Sequence, residues 1–382
     1  MSEPYQDSYT IHFHSLADMM SYHSGQAKDS VWQHVPVNSI HVDPLEENSW
    51  LSGDLSSFAP HVSYEAVQDT VRSLGLAVKQ DGYYYPLRDT AYKSLLDRAK
   101  ISGSALPKLS RRDLSVTLNA CLALHKDSAL TLFRGQKITA VHSGDGKDYS
   151  ILPIHELIER LKNSLDERFP GNAFDSGYSD YSLTSAAWLL PDQKDDLLGA
   201  YRRTLEAQGK PSAAIAAKLI PGVRFSTSDT GIASAKVTAL LLGLPYPINI
   251  GGTIATEHRG QKKVSDFEDS LSMLFAQFEG SVKRLENMTR VYLENPVNVM
   301  TAVCKNLAMP KKPALEAIGM FEMSCGGDTM TAHDVFIGMQ EIMFICKTDG
   351  YPAAKMLQLE ESMARALTLN WPQFDTKKAV SW

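Results

Sequence analysis

Hydroxyls and a carboxylate crowd the segment RFSTSDTGIASAKV, residues 224–237, where Ser226 to Thr230 carry five polar side chains before Gly231. A serine or threonine nucleophile needs an adjacent base to take its proton, and no histidine or lysine sits where that base would be required. The flanks carry a different message. Val223, Phe225 and Thr227 alternate with Arg224, Ser226 and Ser228, and Ala235, Val237, Ala239 and Leu241 alternate with Ser234, Lys236 and Thr238. Period-two alternation around Asp-Thr-Gly predicts a β-hairpin. Ser228, Asp229 and Thr230 then cap backbone amides in the bend, and Gly231 supplies backbone freedom.

With a loop from Ser228 to Ile232, the expected register sets Arg224 opposite Lys236 on the polar face, beside Ser226 and Ser234. Like charges directly opposite each other destabilise a sheet by about a few tenths of a kcal/mol unless an anion lies over them. The neighbouring ATEHRGQKK adds Arg259, Lys262 and Lys263, with Glu257 as the nearby acid. Two accounts stand side by side: a carboxylate neutralises the pair, or the basic face tracks phosphates. A register slip of one residue would turn these side chains over and remove the question.

Other candidates carry less. IHFHS puts His12 and His14 on one side of a strand, as in some metal hydrolases, but no cluster elsewhere completes a ligand set, so no metal site is assigned. GDGKD is a turn, lacking the strand-to-helix setting of a phosphate loop. In SCGGDTMTAHD, Cys325 and His333 suggest a nucleophile and base; against this, Gly326 and Gly327 end one segment and Thr329 or Thr331 caps the next helix. Tyr178 and Tyr181 flank an expected hairpin tip, where they could stack on bases. No catalytic residue and no cofactor is assigned.

The elements that would position these residues fall into three zones. Residues 1–110 are irregular and acidic, with HVDPLEENSWLSGDLSSFAPH as loop, DGYYYPLRD as a short strand and PLRDTAYKSLLDRAK as a helix. Residues 111–262 form an α+β core. ALTLFR and KITAVHS read as paired strands, LPIHELIERLKNSLDERF as a helix with Ile154, Leu157, Ile158, Leu161 and Leu165 inward, and AFDSGYSDYSLTSAAWLL as a hairpin. Residues 263–382 are helical. Phe267, Leu271, Leu274, Phe278, Val282, Leu285, Met288 and Tyr292 make one long stripe that stops before Pro296. Helices follow at PVNVMTAVCKNLAM, KPALEAIGMF, TAHDVFIGMQEIMFIC and PAAKMLQLEESMARAL. The expected fold class is α+β, an antiparallel strand-rich middle followed by an all-helical C-terminal region.

Composition fits a globular protein, 43% hydrophobic and 21% charged over 382 residues. No apolar run approaches the roughly 20 residues that span a bilayer, and MSEPYQDSYTIHFHS lacks a basic leader before an apolar block, so a cytoplasmic protein is expected. Four scattered cysteines without a CxxC pair read as reduced thiols. The net charge of −6 is unevenly spread. Residues 1–100 hold seven Lys/Arg against thirteen Asp/Glu, whereas residues 200–312 hold fifteen against nine. The basic middle suits an anionic partner, or faces the acidic front.

The order LFRGQKITAVHSGDGKDYSILPIHELIERL, AAWLLP, GVRFSTSDTGIASAKV, INIGG, EHRG and TAHDVFIGMQEI resembles phage- and plasmid-borne proteins carrying the domain of unknown function 932, over roughly residues 120–365. Thr227, Ser228 and Asp229 stand where that family has Asn-Ser-Glu. Asn249 and Gly251 echo its Cys-Thr-Asn-Gly run, and His333 and Ile337 replace a tryptophan and an asparagine. The resemblance implies an α+β mobile-element protein and brings no catalytic residues. The expected function is single-stranded nucleic-acid binding, as an accessory to recombination or annealing in a bacterial host, through Arg224, Lys236, Arg259, Lys262, Lys263, Tyr178 and Tyr181. The alternatives are a non-enzymatic factor that binds a host or phage protein through its helical stripe and Met320, Met323, Met330, Met339 and Met343, or a metal-dependent hydrolase at His12 and His14. A homo-oligomer is compatible with the first two.

Overall fold

The alternation around residues 228–234 folds into two antiparallel strands, Ile220–Thr227 and Ala235–Leu242, in a computed structural model that describes residues 4–209, 212–244, 246–325 and 330–382. Their register pairs Arg224 with Thr238 and Ser226 with Lys236. The loop is therefore longer than expected, and the pairing is shifted by two. An even shift keeps side-chain parity, so Arg224 and Lys236 still share a face while lying diagonally. On the other face Val223, Phe225, Val237, Ala239 and Leu241 are wholly buried.

This ribbon is the middle of a seven-stranded antiparallel sheet. Thr10–Phe13 pairs with Ala173–Asp180, which pairs with Thr184–Leu189, which pairs with Ile220–Thr227. Beyond the ribbon, Ile248–Asn249 and Ile254–Thr256 both add to Ala235–Leu242. The core face shares one hydrophobic cluster with helices Ile154–Arg168, Lys194–Ala207, Val264–Ser270 and Leu274–Met288. All five apolar positions expected to point inward from Ile154–Arg168 do so.

A second sheet joins Ser30–Pro36, Ser128–Arg134 and Lys137–Ser143, and a third joins His41–Pro44, Leu76–Gln80 and Tyr83–Pro86. Helices Asp89–Ala99 and Arg111–Leu122 pack on them in a second core. The segment expected to be pure loop, residues 41–61, contains the strand His41–Pro44 and the short helix Trp50–Gly53, and buries Leu45, Leu51 and Phe58 in a third cluster. Strand pairing and cores run across the divisions drawn at residues 110 and 262: Ser30–Pro36 pairs with Ser128–Arg134, and the main core extends from Phe13 to Trp371.

The long apolar stripe is buried, but in two helices. A tight turn at Leu271–Met273 separates Val264–Ser270 from Leu274–Met288, and Tyr292 lies beyond the second helix, 64% exposed. TAHDVFIGMQEIMFIC likewise divides at Gln340 into Ala332–Met339 and Glu341–Thr348. Thr331 caps the first of these with a reciprocal Asp334 bond, as expected. Gly326, Gly327 and Thr329 lie outside the described residues, as does the Cys325 side chain. Met339 and Met343 are core residues, and Met320 and Met323 are exposed. With 49% helix and 21% strand, antiparallel sheets early and helices late, the fold is α+β. Among the described residues no helix is long and apolar enough to cross a membrane.

Candidate functional site

The polar face of the ribbon was expected to look outward. It is covered. Helix Ala353–Ala364 carries adjacent acids, Glu360 and Glu361, onto that face. Glu360, only 3% exposed, pairs with Arg224 and also accepts the Tyr246 hydroxyl. Burial works against the Arg224 charge, but the Glu360 carboxylate outweighs it and holds the guanidinium more firmly protonated than usual. Lys236 Nζ lies 2.7 Å from Glu361 Oε1. Of the two accounts of Arg224 and Lys236, the neutralising carboxylate is the one found, supplied by Glu360 and Glu361 and not by Glu257. The physical reason is coverage: a buried cation needs a partner, and the C-terminal helix brings one.

The remaining candidates are dispersed. Arg259 pairs with Glu257, both exposed, and Lys262 Nζ reaches Asp266 Oδ1 at 3.2 Å. Lys263 is exposed at the start of a helix, and its backbone N–H donates to Asp266 Oδ2 at 2.7 Å. Tyr178, half-buried, donates its hydroxyl to Asp180 Oδ2 at 2.6 Å and meets His12 edge-on. Burial, then Asp180, push its phenol pKa upward. Tyr181 packs edge-on against Tyr9, 6.4 Å between centroids. Tyr178 and Tyr181 therefore lie against the protein rather than presenting open stacking platforms. Arg224 and Tyr178 line one cavity, while Lys236 and Arg259 line another. No three His, Cys, Asp or Glu side chains among the described residues group as a metal site, so His12 and His14 find no completing ligands.

The loop of residues 228–234 is a structural hub. Ser228 Oγ and Thr230 Oγ1 lie 2.8 Å apart, Ser228 Oγ caps the Thr230 N–H, and the Ser228 hydroxyl donates to the Ser182 carbonyl. Gly231 adopts φ +82°, the left-handed backbone the turn requires. The Asp229 carboxylate receives Arg134, which arrives from the second sheet. The Asp229 carbonyl accepts His142 Nε2 at 2.8 Å and the Tyr149 hydroxyl at 2.9 Å. His142 and Tyr149 stack at 3.7 Å, with His258 on the other side of Tyr149 at 5.7 Å. Burial pushes His142 down to about 4 and lowers His258; it also pushes Tyr149 well above its ordinary range. Burial alone would raise the Asp229 carboxyl, but Arg134 overrides it and holds the acid ionised. Neutral imidazoles beside a locked carboxylate make a fastening between two sheets, with no base poised at Ser228.

Local sequence pattern did not single out Arg134, His142, Tyr149 or His258, because their partners come from strands and loops far along the chain. It also missed a group of cations with little compensation. A 330 Å³ depression is lined by Lys236, Arg284 and Arg365, with Glu361 as its one acidic side chain. Arg284 Nη2 donates to Ser281 Oγ at 2.9 Å, while its Nε is buried without a hydrogen-bond partner. Arg365, exposed, donates to Ser362 Oγ at 2.8 Å. Neither arginine has an ion-pair partner among the described residues. The rim is the loop at Gly251 and Gly252, with φ of +76° and +67°. A Cβ at Gly252 would come within 2.8 Å of the Gln277 carbonyl, so the loop lies directly on helix Leu274–Met288. A 520 Å³ depression shares Lys236 as a wall, but there Arg98, Lys236 and Arg259 are balanced by Asp97, Asp148 and Glu257. The INIGG motif and two arginines on helices, Arg284 half-buried and Arg365 exposed, were the available signal, and neither is distinctive alone.

The chain matches no family model, no curated protein and no solved structure. Any functional reading therefore rests on the chain's own geometry.

Proposed function

We propose that this protein binds single-stranded nucleic acid, with the phosphate backbone held in the basin of Lys236, Arg284 and Arg365 rather than across the ribbon. The observation that carries the reading is the pair Arg284 and Arg365, which line the basin bonded only to serine hydroxyls, with Glu361 as the one carboxylate beside them. An arginine without a carboxylate partner keeps its outer guanidinium donors for an external anion, and the planar fork matches phosphate geometry. Gly251, with nothing within 4 Å of where a Cβ would sit, leaves room for a close approach to the loop backbone. A basin that holds a short run of phosphates suits an accessory that keeps a strand in place during annealing or recombination.

The basin is small, so few phosphates are held. With Lys236 paired to Glu361, two phosphates neutralised by Arg284 and Arg365 give a slope of about −1.4 in log affinity against log salt for single strands, or roughly sevenfold weaker binding between about 50 and 200 mM. Fluorescence anisotropy with labelled oligothymidine tests this directly. Folded protein that leaves the oligonucleotide free at about 50 mM salt would overturn the proposal.

A further inference from the structure

A second cavity, against a neighbouring face of the cover helix, has a different chemistry. It encloses 470 Å³ between the outer face of the large sheet and helix Ala353–Ala364. Its walls are mainly apolar and aromatic, including Tyr178, Tyr246, Tyr351 and Met356, and Arg224 lies in the lining beside Glu360. Volumes of about 300–1,000 Å³, with apolar walls and a few convergent polar groups, characterise small-molecule sites.

The polar groups define what would fit. Glu360 is fully engaged: one oxygen receives Arg224 Nη1 and the other the Tyr246 hydroxyl. Tyr178 is likewise committed to Asp180. Arg224 is not exhausted. A guanidinium has five N–H donors, and those not directed to Glu360 and Tyr246 have no acceptor among the described residues. Lys347, exposed at the cavity edge, adds a second cation 5.7 Å from the Tyr246 ring. Glu360 and Asp175 balance Arg224 and Lys347 in the lining, so an anion is drawn there by the unspent donors of Arg224 and not by net charge.

We propose that this cavity is a binding site for a small planar carboxylate, with the acid on Arg224 and the ring between the tyrosines and Met356. The pairing with Glu360 serves to fix the guanidinium so that its free edge is presented rather than collapsed. The site is separate from the basin of Arg284 and Arg365, and its occupancy does not depend on nucleic-acid binding.

Isothermal titration calorimetry on the full chain, with indole-3-acetate and its neutral isostere indole-3-acetamide as probes, tests the proposal. The acid should bind one per chain and at least tenfold more tightly than the amide. Arg224→Gln should erase that preference. Because this change strands Glu360 and threatens the fold, Ala353→Trp provides the second arm: it fills the cavity from the first turn of the cover helix and should abolish binding with the unfolding midpoint retained. Equal affinity for acid and amide, no binding of either, or undiminished binding to folded Ala353→Trp would overturn it. The oligonucleotide result stands apart from each of these, since its arginines line a different cavity.

Discussion

Two sets of cations lie within reach of one helix, and they have opposite fates. On the ribbon, Arg224 and Lys236 meet Glu360 and Glu361 from helix Ala353–Ala364. Just past that helix, Arg284 and Arg365 meet only serine hydroxyls. The charges are alike; what differs is the supply of carboxylate. A cation's availability to an external anion is set by what covers it, and cover is a property of the folded chain. The closed set contributes to stability and the open set contributes little to it, so the two should respond to different perturbations.

Acid should have the largest effect, through buried histidines that lie outside both sets of cations. His142 and His23 are buried and neutral, each pushed down to about 4. In the unfolded chain each protonates near 6.5, so between these values the unfolded state binds the extra protons. Stability is then complete above about pH 6.5 and declines as pH falls toward 4, by about 3 kcal/mol for each histidine. Urea unfolding from pH 7.5 to 4.5 should show a steep loss, and a flat profile would contradict the buried placement.

Removing the Glu360 carboxylate comes next. Glu360→Ala leaves Arg224 desolvated without its partner and should lower unfolding free energy by about 3–5 kcal/mol, read as a shift in denaturant midpoint. Glu361→Ala should do far less. Lys236 is partly exposed and Glu361 more so, and such pairs are worth about 0–1 kcal/mol. Its informative effect is on binding: it removes the basin's one acid, so oligonucleotide affinity should rise by about two- to threefold, a fraction of a kcal/mol. A fall would place the strand elsewhere.

The sequence made much of this architecture legible because the deciding interactions were local. Alternation around residues 228–234 specified the hairpin, its buried face and its bend, including Gly231. The spacing of Leu157, Ile158 and Leu161 specified an amphipathic helix that is present as expected. Loop length was less determined, and the register moved by two without turning a side chain over. The splits at Leu271–Met273 and Gln340 were hidden because a continuous apolar stripe satisfies one helix or two. The helix that neutralises the ribbon lies about 130 residues downstream of it. No local pattern announces which sheet face such a helix will cover. The same holds for the bend: Ser228 caps an amide as expected, while the Asp229 carboxylate, expected to do likewise, is taken by Arg134 from a distant strand, and its carbonyl partners His142 and Tyr149 were not legible either.

The central claim is that the open arginines, and not the ribbon, hold the strand. Oligothymidine anisotropy at about 50 mM salt, comparing the unaltered protein with Arg284→Ala/Arg365→Ala, tests it most directly. A loss of at least tenfold, about 1.4 kcal/mol, with an unchanged unfolding midpoint is the predicted result. Equal affinity in the two proteins would contradict it.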